Sequence, residues 1–422
     1  MKVSPDRALI EQRQLERLRE MLGAVVPANE FYRRKFAQVD IGRIDSLERL
    51  QSLPFTTKSE LVADQQEHPP FGSDLTFPLD RYIRVHQTSG TTGKPLYWLD
   101  TEESWRWWAE CWKVVFAAAG AKAGDRIYFA FSFGPFIGFW SGWEGARALG
   151  ALAISGGAQS TAQRLKSIVD YGATVLVSTP TYALHMAAEA KRAGIDLANE
   201  SAVRITIHAG EPGASIPSTR KIIEESWGAK CFDHAGATEV GAFAFQCQAG
   251  ALHVNENEFI AEAIDPASGA PATADSEGEL VITNLGRLGS PVIRYRIGDL
   301  VKPSYDTCPC GRNLVQLKGG VLGRADDMVV VRGVNVYPSA IENIIREFSE
   351  IEEFRIETFE RQAMRELKLT IEPSAEQGST APLAEKVAAM VRQRIGLRPE
   401  VELVAPGTLP RFELKAKRFF KL

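Results

Sequence analysis

The sequence predicts an α/β chain. A large N-terminal domain of helix-covered, mostly parallel sheets plus a distorted β-barrel or second sheet is followed by a small α+β domain. Three observations predict this. Short apolar runs alternate with amphipathic segments from Tyr82 to Ser226, strands joined by turn-rich loops follow from Cys231 to Pro303, and strands and helices mix after Gly323. The 422 residues allow two or three domains at about 150 residues each, and a 45% hydrophobic composition supplies a sizeable core.

The elements follow in order. Leu9, Leu15, Leu18 and Leu22 recur at helical spacing, and Ser46 offers an N-cap for a second helix. The runs Arg126–Ala130, Ala151–Ser155, Thr174–Ser178 and Arg204–His208 read as parallel strands, with helices over Thr161–Tyr171 and Pro180–Arg192 between them. Asp265-Pro-Ala-Ser-Gly-Ala-Pro and Asp275-Ser-Glu-Gly punctuate the next strands, one of them Glu279–Thr283. The last hundred or so residues predict a strand at Met328–Arg332, a helix from Pro338, a strand at Lys368–Glu372, a helix over Leu383–Ile395 and a strand at Val401–Val404.

With 49 Lys and Arg against 53 Asp and Glu, the formal net charge is −4, and no basic block of five or more stands out. Nucleic acid is not expected as a partner. The most apolar stretch, Ile127–Trp140, is 14 residues long and is broken by Gly and Pro, whereas a spanning helix needs about 20. No membrane segment is expected. The charged amino terminus does not read as a secretory signal and five cysteines make no disulfide framework, so a cytoplasmic place is expected.

His86-Gln-Thr-Ser-Gly-Thr-Thr-Gly-Lys-Pro95 concentrates hydroxyls and glycines before a lysine, which suits phosphate oxygens. It is not a Walker loop, because Thr88 and Pro95 stand where that loop needs Gly and Ser or Thr. The ten residues resemble the phosphate loop of adenylate-forming enzymes, the acyl-CoA synthetase superfamily. Further segments fit in order: Leu53–Leu61, Gly210-Glu-Pro212, Ala235-Gly-Ala-Thr-Glu239, Tyr295–Leu300, Gly323–Met328 and Arg332–Pro338 look like the phenylacetate-CoA ligase branch.

The resemblance implies two half-reactions: a carboxylate and ATP give an acyl-adenylate and pyrophosphate, then coenzyme A displaces AMP. It implies that Thr88, Ser89, Gly90, Thr91, Thr92, Gly93 and Lys94 close over the phosphates. Glu239 would hold Mg²⁺ and Thr238 the α-phosphate. Asp299 would accept the ribose hydroxyls with Arg324 beside it. Gly210, Glu211 and Pro212 would wall the adenine site, with Asp233 near the amino group. Lys415 would bridge carboxylate and α-phosphate, with Lys417 as the alternative if the register slips. The C-terminal domain, 324–422, would be mobile on the domain 1–323 about a hinge near Asp326. The branch has an aromatic on adenine before Gly236; here that residue is Ala235, preceded by His234, which could cover the base instead.

Cys308-Pro-Cys310, with Cys247 and His253 upstream, provides three thiolates and an imidazole for a structural zinc ion with no open position. Phe133 and Phe136, with Ala209, fall where the branch builds its aryl pocket, so phenylacetate-, benzoate- and anthranilate-like acids are all expected candidates. Trp105, Trp107, Trp108 and Trp112 lie on a predicted helix and are expected to pack. Two rivals stay open: an adenylating enzyme that loads a carrier-protein pantetheine, and a catalytically silent nucleotide binder. The family's habit implies a homodimer.

Overall fold

The computed structural model describes residues 6–88, 95–273, 275–325, 327–332, 334–348, 350–361, 364–374, 381–411 and 418–422. The first helix, Arg7–Ala28, buries Ile10, Gln14, Leu18, Met21, Leu22 and Val25, so of the expected leucines Leu18 and Leu22 are buried, Leu15 is half-buried and Leu9 is exposed. The helix expected after Ser46 is only a 3₁₀ turn, Glu48–Ser52. Ser46 Oγ accepts the Arg49 N–H at 3.4 Å, but Pro54 holds Leu53 extended and stops the turn. A full helix, Lys58–Glu67, starts after it on a capping box between Thr57 and Glu60.

A hairpin of β1 (Tyr82–Gln87) and β2 (Tyr97–Thr101) runs into the helix Glu102–Ala119, whose four tryptophans are all buried. Five strands then pair in parallel: β3 (Arg126–Phe129), β4 (Leu152–Ser155), β5 (Val175–Ser178), β6 (Ile205–His208) and β7 (Lys230–Ala237), in the order β4-β3-β5-β6-β7. Alternate residues serve opposite faces. Ile127, Phe129, Val175 and Val177 join one core; Tyr128 and Leu176 join another under the helices Thr161–Asp170, Pro180–Arg192 and Pro217–Trp227.

The sheet continues antiparallel through β8 (Gly241–Gln246) and β9 (Leu252–Val254). Next come β10 (Phe259–Ile264), β11 (Gly278–Asn284), β12 (Tyr295–Val301), β13 (Pro303–Ser304), β14 (Gln316–Leu317) and β15 (Gly323–Arg324). Strands β14 and β13 complete the nine-stranded sheet, and β10-β11-β12-β15 form a second, antiparallel one.

The C-terminal residues build β16 (Val329–Val331), β17 (Val334–Val336), β18 (Ile351–Arg361), β19 (Met364–Pro373), β20 (Glu400–Leu403) and β21 (Phe419–Lys421), with helices Pro338–Ile345 and Ala381–Ile395. Phe354, Ile371, Val387 and Val391 belong to a core of their own. Among the described residues no helix is long and apolar enough to cross a membrane.

Candidate active site

Strands β5 and β6 end in register, Ser178 beside His208 beside Asp233 of the longer β7, so the loops after β5 and β6 gather at the carboxyl edge of the sheet. Ligands of open α/β sheets bind at such an edge. After β6 the chain turns through Gly210 at φ 93°, a backbone state that favours glycine. Glu211 then accepts the Thr181 N–H at 3.0 Å, at the start of the helix Pro180–Arg192. Gly210 and Pro212 are exposed, and Ala209 is half-buried.

Asp233 is buried. Its carboxylate accepts the His234 N–H at 3.0 Å and the Ser215 hydroxyl, and its own N–H donates to Gln246 Oε1 at 2.9 Å. Burial pushes its pKa up to about 6, against the pull of Ser215. The His234 ring lies 4.4 Å from the Trp112 ring, and its Nδ1 is 2.7 Å from Ala244 O. Burial lowers its pKa to about 4, so it is neutral. That ring is packed inside the core, and the next residue, Ala235, brings only a methyl group to the half-buried position.

Thr238 and Glu239 are held by their backbones. Arg287 donates to Thr238 O at 2.8 Å and Glu239 O at 3.2 Å, while Asn284 donates to Val240 O at 3.1 Å. The Arg287 guanidinium pairs bidentately with Asp100 at 2.7 Å, both fully buried, between the faces of Trp98 and Trp108. The Glu239 side chain, nearly buried, lies 3.5 Å from Lys58 Nζ.

Lys58 reaches Glu239 because the segment before it is stitched to the second sheet. Thr56 N–H donates to Arg294 O and Arg296 N–H to Thr56 O, each at 2.9 Å. Tyr295, between these partners, is buried and close enough to Glu239 for both burial and that carboxylate to hold its phenol protonated. Asp299 of β12 pairs in register with Arg324 of β15, and their side chains meet at 3.1 Å. Arg324 also donates to Ile297 O at 2.9 Å.

Thr88 closes the stem of the phosphate loop: its N–H donates to Leu96 O and its Oγ1 accepts the Leu96 N–H, both at 3.0 Å. Ser89, Gly90, Thr91, Thr92, Gly93 and Lys94 lie outside the described residues, as do Asp326, Lys415 and Lys417. Next to that last stretch, Arg418 is buried on Glu353 at 2.6 and 3.0 Å and reaches Thr181 Oγ1 at 3.4 Å. Phe133 is half-buried against Trp140 and Trp143, at 4.7 and 5.7 Å between ring centres. With Phe131, Ala209, Ala235 and Ala237 these residues line the partly buried margin of the main core. Phe136 is half-buried at the start of the helix Ile137–Leu149.

Cys247, His253, Cys308 and Cys310 come together with all their donor atoms within 4.8 Å of one another. Sequence reasoning gave no role to Lys58, Arg287, Asp100 or Arg418. Asp100 carries a signal in retrospect: a carboxylate in the otherwise apolar run Trp98-Leu-Asp needs a buried cation. Arg287, in a glycine-rich loop, carries none.

Residues 333–422 match the family described as AMP-binding enzyme C-terminal domain. The chain is 32% identical to a phenylacetate-coenzyme A ligase of Thermus thermophilus over 424 residues, covering 95% of this chain and 93% of that one. It is 30% identical to the Pseudomonas putida enzyme of the same name, covering 96% and 93%. Among solved structures, 2-hydroxyisobutyryl-CoA ligase in its postadenylation state with 2-HIB-AMP superposes with a TM-score of 0.93 at 30% identity, covering 99% of this chain and 90% of that one. The same ligase in its thioesterification state gives 0.75, with 99% and 91% covered. Near-full-length similarity at this level makes the chain a member of the phenylacetate-CoA ligase branch of the AMP-binding, adenylate-forming enzymes.

Proposed function

We propose that the protein is an AMP-forming acid–thiol ligase that activates an aromatic carboxylic acid with ATP and transfers the acyl group to coenzyme A. One observation carries the reading. Lys58 meets Glu239 and Arg324 meets Asp299, from segments far apart in the chain, and the buried Tyr295 phenol lies within electrostatic reach of Glu239, Asp299 and Arg324 together.

In the first half-reaction a carboxylate oxygen attacks the α-phosphorus and pyrophosphate leaves. A magnesium ion, when bound, neutralises phosphate charge. Glu239, a nearly buried carboxylate, fits such an ion as one oxygen ligand. Thr238 donates its hydroxyl to the α-phosphate, and Lys58 balances Glu239 and the leaving pyrophosphate. Asp299 accepts the ribose hydroxyls while Arg324 fixes its orientation. Lys415 and the loop Ser89–Lys94 are assigned from the motifs, for the α-phosphate and the outer phosphates. In the second half-reaction the thiol attacks the acyl carbon and AMP leaves.

The half-buried Phe133, Phe136, Trp140 and Trp143 favour a flat ring over a short aliphatic chain, the class named for the phenylacetate relatives. We assign residues 1–323 to the nucleotide and acyl site and 324–422 to a module that turns about Asp326. The higher TM-score against the postadenylation state supports a first-step orientation here. Coenzyme A is the acceptor in this reading, in the cytoplasm, with a homodimer as the assembly.

ATP–pyrophosphate exchange across a panel of aryl, short-chain and amino acids tests the activity, followed by AMP release with and without coenzyme A. Exchange with an aryl acid and thiol-dependent AMP release are expected. Exchange that ignores coenzyme A would point to a carrier-protein acceptor, and binding of ATP with no exchange would point to a silent relative.

A further inference from the structure

The four-residue Cys/His cluster takes no part in that chemistry, and its geometry points to a zinc ion. Cys247 Sγ and Cys308 Sγ are 3.8 Å apart, and Cys310 Sγ is 3.4 Å from His253 Nε2. A disulfide holds its sulfurs at about 2.05 Å, so this thiol pair is not one. Zinc–sulfur bonds of about 2.3 Å and zinc–nitrogen bonds of about 2.0–2.1 Å set tetrahedral edges of about 3.8 Å between thiolates and about 3.5–3.6 Å between thiolate and imidazole. The two separations match both edges.

The second shell agrees. His253 Nδ1 lies 3.2 Å from Leu314 O, which holds the proton on Nδ1 and leaves Nε2 as the donor facing Cys310. Three thiolates and one imidazole suit a soft, tetrahedral ion, and a four-ligand set leaves no place for substrate or water. Cys247, His253 and Cys308 are buried and Cys310 half-buried.

We propose a structural Cys₃His zinc centre that staples three segments: the end of β8, strand β9 and the loop 305–315. Its place in the fold gives it a consequence. Gln246, next to Cys247, accepts the Asp233 N–H at 2.9 Å and Arg220 Nη2 at 2.7 Å, and its own amide donates to Gly250 O at 2.7 Å. The staple therefore holds the turn behind β7, the strand that carries Asp233 and leads into Glu239.

The test is metal content of the full chain, purified without a metal-affinity step from zinc-supplemented culture, with cobalt exchange as the second measurement. One zinc per chain is expected, with Cys247, Cys308 and Cys310 becoming reactive toward a thiol reagent only after a chelator is added, while the buried Cys111 and Cys231 stay shielded throughout. Cobalt-exchanged protein should show intense thiolate-to-cobalt charge transfer with tetrahedral d–d bands, and Cys310→Ser, which keeps three ligands, should shift those bands. Sub-stoichiometric zinc with freely reactive cysteines, iron in place of zinc, or a cobalt spectrum of octahedral type would each overturn the assignment. These readouts do not depend on ligase activity.

Discussion

Arg287 and Asp100, 187 positions apart in sequence, form a bidentate pair with no solvent exposure, and the same guanidinium holds the backbone carbonyls of Thr238 and Glu239. Removing one partner leaves an uncompensated buried charge, which costs about 3–5 kcal/mol. Arg287→Met and Asp100→Asn should each lower stability on that scale in urea unfolding. The double change Asp100→Leu with Arg287→Met should recover much of the loss, because neither charge then remains. Pyrophosphate exchange should stay depressed in the double variant, since the two carbonyls still lack their donor. Full recovery of exchange there would mean that the pair serves stability alone.

Lys58 lies 3.5 Å from the carboxylate of Glu239, and a preorganised cation near developing phosphate charge acts mainly in the transition state. Lys58→Met should reduce the exchange rate by about 10²–10³-fold and leave thioester formation from preformed acyl-adenylate nearly unchanged. Equal loss in both halves would argue for a folding defect, and an unchanged exchange rate would remove Lys58 from the mechanism.

Four of the five parallel strands, β3 to β6, were legible in the sequence because each is a short, continuous apolar run between amphipathic helices, whereas β7 was read with the turn-linked strands that follow it although it pairs parallel with β6. Strand β18 was not legible. Its sequence, Ile-Glu-Glu-Phe-Arg-Ile-Glu-Thr-Phe-Glu-Arg, is rich in charge, and Glu353 is buried only because Arg418, far along the chain, pairs with it. Glu239 and Asp299 were proposed from continuous motifs, which local sequence displays. Arg287 and Lys58 act through contacts that β12 and the buried tryptophans create, and no local spacing encodes those. His234 shows the opposite limit: proximity in sequence to Ala235 suggested a cover for adenine, whereas its ring packs on Trp112.

The motif resemblance puts Ala235 at the proposed adenine-stacking position, and one base–aromatic contact is worth about 1–3 kcal/mol. Ala235→Tyr should therefore lower KM for ATP by about fivefold or more, with little change in KM for the acid. A rise in both constants would mean that the half-buried position has no room for a ring and that the acyl pocket extends beneath it.

Three buried imidazoles outside the Cys/His cluster contribute to the acid limb of stability, in the same direction as the lowered carboxyls Asp125 and Glu372. Burial lowers His86, His208 and His234 to about 4, below the ordinary value of 6.5, so the unfolded chain binds their protons first. Their contribution is complete above about pH 6.5 and is lost as pH falls toward 4. Two buried carboxyls oppose it: Asp74 is pushed up to about 7 and Asp233 to about 6, so each favours the folded state at low pH and loses that effect as pH rises through these values. Three imidazoles against two carboxyls, with Asp125 and Glu372 on the imidazole side, leave a net decline on acidification. The urea midpoint should fall between pH 6.5 and 5, and more steeply in Asp233→Asn, which removes one opposing group. A flat midpoint across that window would mean that at least one of these histidines is charged in the native protein.

Gln246 links the Cys/His staple to Asp233, proposed to lie near the adenine, so metal and nucleotide effects should separate at this residue. Gln246→Leu keeps all four cluster residues but strips the acceptor from Asp233 N–H and from Arg220. Losing such a buried hydrogen bond costs about 1–1.5 kcal/mol, which corresponds to about a tenfold rise in KM for ATP if Asp233 moves. Zinc content should be unchanged, whereas chelator treatment of the parent chain should produce the same KM change together with metal loss. A Gln246→Leu variant with normal KM for ATP would confine the metal centre to stability, because the turn it holds would then be uncoupled from Asp233.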